Sequence, residues 1–275
     1  MKESAGSESS KILIEPDNGY AVCQNVFSCR IFGAVSKTHK NGDSLLINLK
    51  RRIFAVADST EWNANISKDL LERFNIQIEE IYQLFGNIEG DDDRLNAFCN
   101  LLIENTNKLI FEIRYPNSTT FSCLIILPGT NGKKGLILHC GDSLIFEIRQ
   151  KKGHISQLTN TTLNLAGRVD KLTHVLMIDI KDDSKFVICS DGLTILTRMT
   201  GSYSLPQILM EVFSQAGIDM IPNLLIDRLG KDLDFIDDTT IITLHPYLLP
   251  LSDSDEVILW GGAGLKQISK TISSF

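Results

Sequence analysis

The chain has 275 residues, 43% of them apolar, and 27 Lys and Arg against 34 Asp and Glu leave a formal charge of −7. That is enough sequence for a large core, and the acidic balance speaks against non-specific binding to nucleic acid or anionic membrane, which needs concentrated cations. No apolar run approaches the length of a bilayer span, and six cysteines without a CxxC pair read as core thiols of a reducing compartment, so the expected location is the cytoplasm.

Residues 1–10, MKESAGSESS, are polar and lack the apolar core of a signal peptide, so they read as a disordered lead-in. Residues 11–249 read as one domain, and 250–275 as a C-terminal extension of unassigned role. From Tyr20 to Val35 the sequence alternates as one or two strands do. Ser44 to Asn48 and Ile53 to Ala57, separated by LKRR, form a β-hairpin whose basic turn, Lys50 to Arg52, is expected to be solvated.

Helical spacing follows. Ile66, Leu70, Phe74, Ile78, Ile81 and Phe85 recur on one face, and after a polar break so do Leu95, Phe98, Leu102, Leu109 and Ile113, which predicts an antiparallel helix pair packed on a sheet. The period then returns to two. Thr119 to Leu127, Gly135 to Cys140, Ser143 to Arg149 and Ile155 to Leu158 read as an antiparallel meander. Asn160 to Leu172 reads as a surface loop, and His174 to Ile180 with Lys185 to Ser190 as a second hairpin about KDDS. Short helices are expected at Leu193 to Met199, Leu205 to Ala216 and Ile221 to Leu229, a strand at Thr239 to His245, and a short strand at Val257 to Trp260. Strands, then a helix pair, then strands, helices and a last strand indicate an α+β fold with antiparallel sheets.

Four aspartates stand at strand ends. Asp58 and Asp191 close apolar runs, whereas Asp43 and Asp237 precede them. In the first hairpin, antiparallel pairing about the short loop sets Asp43 beside Asp58. In antiparallel sheets all four can converge on one edge, where two charges about 4 Å apart repel by about 4 kcal/mol at an effective dielectric of about 20. Hard divalent cations, Mg²⁺ or Mn²⁺, relieve that repulsion because they prefer carboxylate oxygen and water. Each aspartate alone also fits a turn or cap. The five histidines are dispersed without an HExxH spacing and read as structural, and His154, His174 and His245 are expected to be dispensable.

FAVADST, NSTTFSCLI, HCGDSLIFEIRQKKGHISQLT, KFVICSDGL and DDTTIITL, in that order from about Lys37 to His245, resemble the phosphatase 2C (PPM-type) family of metal-dependent Ser/Thr phosphatases. The resemblance implies a central β-sandwich of two antiparallel sheets flanked by helices on both faces, with two Mn²⁺ or Mg²⁺ ions at one edge. It makes Asp58 the bridge between the ions and Asp191 and Asp237 ligands of one of them. The Ser59 backbone carbonyl becomes a further ligand, with Asp43 accessory, and Asp142 matches a third, weaker metal position.

This chain departs from the family's pattern at specific places. Ser59 stands in place of glycine, Thr60 and Glu61 interrupt a Gly-rich continuation, and Gly42 replaces Glu or Gln. Thr38 replaces a phosphate-gripping arginine, for which Lys37, His39 or Lys40 could substitute without a guanidinium's bidentate fork. Ile195 replaces an aspartate and removes support for the third ion. The resemblance implies hydrolysis of phosphoserine or phosphothreonine in a partner protein by a metal-bridged water. The alternative is a catalytically weak domain that acts as a binding or regulatory module.

Overall fold

The structure, a computed structural model, describes residues 12–33, 42–60, 65–114, 116–194, 196–197, 203–229, 238–249, 257–262 and 265–272. The β-branched and aromatic runs form two seven-stranded antiparallel sheets. The first, sheet A, takes β1 (Ile12–Glu15), β2 (Tyr20–Cys23), β3 (Phe27–Phe32), β8 (Leu144–Arg149), β9 (His154–Gln157), β11 (Lys185–Cys189) and β12 (Thr239–Leu244), in the spatial order β1-β2-β3-β12-β11-β8-β9. Sheet B takes β4 (Asp43–Asn48), β5 (Ile53–Asp58), β6 (Phe121–Gly129), β7 (Gly132–Cys140), β10 (His174–Asp179), β13 (Val257–Gly262) and β14 (Leu265–Ile272), in the order β10-β7-β6-β5-β4-β13-β14.

Three apolar layers follow from alternation on these strands. Leu45, Ile47, Phe54, Val56 and Ile137 of sheet B meet Phe27, Cys29, Ile145, Phe186 and Ile242 of sheet A between the sheets. The opposite face of sheet B, with Ala55, Ala57, Phe121, Cys123 and Leu138, packs under α1 (Ile66–Phe85) and α2 (Asp92–Glu112). The opposite face of sheet A is covered by α3 (Leu205–Gln215) and α4 (Ile221–Leu229). The fold is thus α+β, a sandwich with helices on both outer faces, as expected.

The two long helices match their sequence pattern. Leu70, Phe74, Ile78 and Ile81 are buried on α1, and Leu95, Phe98, Leu102 and Leu109 on α2. Asp91 caps α2 by accepting the Arg94 N–H at 2.9 Å, satisfying one of the helix's orphan donors.

Other expectations are corrected. The meander does not stay in one sheet, because the chain crosses from sheet B to sheet A between β7 and β8. The second hairpin does not exist: β10 pairs with β7 in sheet B, while β11 pairs with β8 and β12 in sheet A. Side chains of the KDDS turn explain this. Asp183 accepts from Arg149 Nε at 3.1 Å and Ser184 donates to Glu147, both on β8, so the turn hands the chain to the facing sheet. The helix expected from Leu193 begins as a 3-10 turn over Asp191–Thr194 and is helical at Leu196 and Thr197, with Ile195 and Arg198–Met199 outside the described residues. The strands β1 and β14 were not anticipated, and β13 joins the tail to β4.

The basic turn is not simply solvated either. Arg51 reaches Glu79 at 2.7 Å, lies 4.4 Å from the Tyr82 ring centroid and keeps only 17% of its side chain exposed.

Phe54 lies between the sheets with its ring centroid 6.4 Å from that of Phe27. Truncation there leaves a cavity that neither sheet can close alone, so Phe54→Ala is expected to lower unfolding stability by about 3–5 kcal/mol in urea titrations. A loss under about 1 kcal/mol would contradict this placement.

Candidate metal centre

The hairpin β4–β5 pairs Asp43 directly with Asp58. Asp43 is fully buried and Asp58 half-buried at the same end of the sandwich. From sheet A, β11 ends at Cys189 and leads through Ser190 to Asp191, and β12 enters through Asp238. These two ends are tied together. Ser190 donates its N–H to Thr240 O at 3.0 Å, and the Thr240 N–H returns to Ser190 Oγ at 2.9 Å.

Gly192 makes that approach possible. A Cβ on it would lie 2.1 Å from the Asp238 carbonyl oxygen, a collision with backbone. Only a residue without a side chain lets Asp191 stand so close to the start of β12.

Charge is concentrated here. Burial pushes the Asp43 carboxyl up to about 8, and the negative charges of Asp238 and Asp191 add to the shift against a hydrogen bond from Ser190. That bond, Ser190 Oγ to Asp43 Oδ2, is 2.7 Å long. Asp238 is 4% exposed and its Oδ2 accepts the Gly42 N–H at 2.9 Å, so it joins the two sheets across the edge.

Asp238 had no role in the sequence reading, which chose Asp237. The signal was the doublet itself, which sets two adjacent carboxylates, not one, before the apolar run of β12. Asp237 lies outside the described residues, as do Lys37, Thr38, His39, Lys40, Glu61 and Ile195.

Ser59 and Thr60 follow Asp58 in defined positions. The Ser59 N–H donates to Gly42 O at 3.0 Å, and its Oγ accepts the Ser67 N–H at 2.9 Å at the start of α1. Its hydroxyl thus does work that glycine cannot. Thr60 donates its N–H to Ser118 O at 3.1 Å. Asp142 is half-buried where the chain crosses from β7 to β8, after Gly141 at a φ of +115°.

A second polar chain braces Asp58. His139 is fully buried, with Nε2 2.9 Å from Asn160 O and Nδ1 2.8 Å from Ser122 Oγ. With Nε2 donating to the carbonyl, Nδ1 accepts from the serine. Nearby, Ser143 Oγ and Thr120 Oγ1 lie 2.6 Å apart, and Thr120 Oγ1 accepts the Asp58 N–H at 2.9 Å. Burial brings His139 down to about 4, so it is neutral near pH 7.

These residues fit a hard divalent cation. The available donors are carboxylate and carbonyl oxygens, and a buried carboxylate facing like charges gains from a cation. Among the described residues no group of three or more His, Cys, Asp or Glu side chains is gathered to hold an ion. The remaining carboxylate of the expected set, Asp237, lies outside them.

No protein-family model and no curated protein matches the sequence. Solved structures do match. The catalytic domain of the serine/threonine protein phosphatase PstP, solved with two manganese ions, superimposes with a TM-score of 0.57 at 16% identity over 79% of this chain and 96% of that one. The serine/threonine phosphatase of S. agalactiae gives 0.58 at 15%, over 80% and 99%. The fold is that of phosphatase 2C. RsbX, solved with magnesium, gives 0.51 at 16% over 85% and 99%, so the phosphatase 2C fold accounts for most of this chain and nearly all of each neighbour. At these identities the likeness is one of fold.

Because the folded state holds His139 neutral, its proton affinity lies below the unfolded value, and the stability it contributes is present above about pH 6.5 and lost as pH falls toward about 4. The stability difference between wild type and His139→Gln is expected to fall through this window as pH is lowered. Parallel wild-type and variant profiles in urea unfolding would contradict it.

Proposed function

We propose that this chain is a metal-dependent phosphatase that hydrolyses phosphoserine and phosphothreonine in a protein partner. The observation that carries the reading is the carboxylate edge, Asp43 opposite Asp58 from one sheet and Asp191 beside Asp238 from the other, on a phosphatase 2C fold. In this reading Asp58, Asp191 and Asp237, with the Ser59 carbonyl, would hold two Mn²⁺ or Mg²⁺ ions, with Asp43 and Asp142 accessory. Bound ions supply Lewis acidity toward the phosphoryl oxygens and make water a competent nucleophile near neutral pH.

The chain's own residues do the rest. Asp58 is oriented by the Thr120 hydroxyl on its N–H, which fixes the end of β5 against the β6 edge. Asp43, buried on the ladder beside it, is a carboxyl whose ionised form a bound cation would favour. Lys37 and Lys40, in the segment before β4, would meet the substrate phosphate as point charges. The acidic balance of the chain favours a protein substrate over nucleic acid. The six cysteines are all buried thiols, which suits the reducing environment of the cytoplasm. No helix among the described residues is long and apolar enough to cross a membrane.

Hydrolysis of a small aryl phosphate by the full chain with Mn²⁺ tests the reading. Turnover is expected to require the ion and to fall by at least about a hundredfold in Asp58→Ala, Asp191→Ala and Asp237→Ala. No metal-dependent turnover, or equal turnover in the variants, would overturn it. Absence of turnover with retained Mn²⁺ binding would point instead to a regulatory module.

A further inference from the structure

We propose that the cleft between the β4–β5 turn and the end of α1 binds a phosphate group, at the opposite end of the hairpin from the carboxylate edge. This site goes beyond the reading above and does not depend on it. The cleft has a volume of about 330 Å³, and its walls include Lys50, Arg51 and Arg52 of the turn, Tyr82 of α1, and Asn87 and Glu89 of the α1–α2 connection. Space of that size suits a small ligand. Three of the lining residues are cations against one carboxylate, in a chain whose formal charge is −7.

The turn is braced from inside. The Arg51 N–H donates to Asn48 Oδ1 at 3.0 Å, and the buried Asn48 donates in turn to Asn75 Oδ1 at 2.8 Å. Glu79 Oε2 accepts from Arg51 Nε at 2.9 Å and from Nη2 at 2.7 Å, and the guanidinium lies 4.4 Å from the Tyr82 ring centroid. Arg51 is thus fixed as a wall of the cleft, with Lys50 and Arg52 on either side of it in the chain.

Arg52 is the informative residue of the turn. Its φ is +54°, and Asn25 is the only other non-glycine residue with a positive φ among the described residues. Asparagine visits that region at little cost, whereas a long side chain is strained there, so glycine or asparagine would close this turn more easily. The Arg52 N–H reaches Leu49 O at 3.3 Å and its carbonyl accepts the Ile126 N–H at 3.0 Å, bonds that the backbone of glycine makes equally well. What arginine adds is a guanidinium at the cleft, and strained residues of this kind cluster at ligand sites. Lys133 extends the positive field, since burial and then the Arg52 charge lower the proton affinity of its ammonium. Guanidinium and ammonium donors together match the several oxygens of a phosphate group better than the pair on a carboxylate.

The cleft and the carboxylate edge are separate places. Asn48 pairs with Ile53 at the cleft end of the hairpin and Asp43 with Asp58 at the other, about 17 Å along the strands. Two sources share the chemistry, inorganic phosphate and a phosphoserine side chain of a protein.

Equilibrium dialysis of the full chain against labelled inorganic phosphate, with and without Mn²⁺, tests the site, beside competition by a phosphoserine peptide and its unphosphorylated form. Phosphate is expected to bind without Mn²⁺, and its affinity to fall by about fivefold or more in Arg52→Gly and in Lys50→Ala. Arg52→Gly is also expected to hold or raise the melting point, because glycine relieves the turn. Competition by the phosphoserine peptide only would support the cleft and assign it to a phosphorylated protein. No competition by either peptide would support it and assign it to free phosphate. Equal competition by both peptides would overturn recognition of phosphate. No uptake without Mn²⁺, or uptake unchanged in both variants, would overturn the proposal and leave the phosphatase reading standing. So would loss of binding with a lowered melting point in Arg52→Gly and unchanged binding in Lys50→Ala, which marks Arg52 as structural only. Phosphate held through Arg52 and Lys50 by a chain that shows no turnover would support the cleft and overturn the phosphatase reading alone.

Discussion

Electrostatic repulsion at one edge of the sandwich is the constraint on which the rest of this molecule turns. Asp43 is buried, and the negative charges of Asp238 and Asp191, both of its own sign, raise its proton affinity. Apolar packing between the sheets provides the free energy that holds these groups together, since Phe54, Phe186 and Phe27 are fully buried there. A protein with no use for a cation would do better with asparagine at such positions.

Much of this was legible in the sequence where local rules governed. The β4–β5 hairpin was readable because a short polar turn separates two alternating runs, and its register put Asp43 opposite Asp58. The helix pair was readable from its stripe. What could not be read was the choice of sheet. Turns such as KDDS look alike whether the next strand lies beside the last or across the core, and here the bonds from Asp183 and Ser184 to β8 made the choice. Those partners lie more than thirty residues away in sequence, as both bonds record.

At the site, the strand-end carboxylates were visible as individual residues, but their bracing was not. Asp238 was overlooked because its neighbour matched a motif, and His139, read only as structural, has no local signature for its partners Ser122 and Asn160. The departures at Gly42 and Ser59, which read separately as two losses, sit 3.0 Å apart across the hairpin and form one bonded unit.

The crossing between β7 and β8, and the failure of β10 and β11 to pair, carry a kinetic consequence. Asp43 and Asp58 belong to sheet B, while Asp191 and Asp238 are delivered by sheet A. Neither sheet can assemble the oxygen cluster by itself, and the hydrogen bond from Gly42 to Asp238 spans 196 residues of chain. Contacts of such long range form late in folding, after the entropy of loop closure has been met elsewhere. An ion that needs both halves can therefore engage only once the sandwich is docked, so it would retard opening far more than it hastens closing.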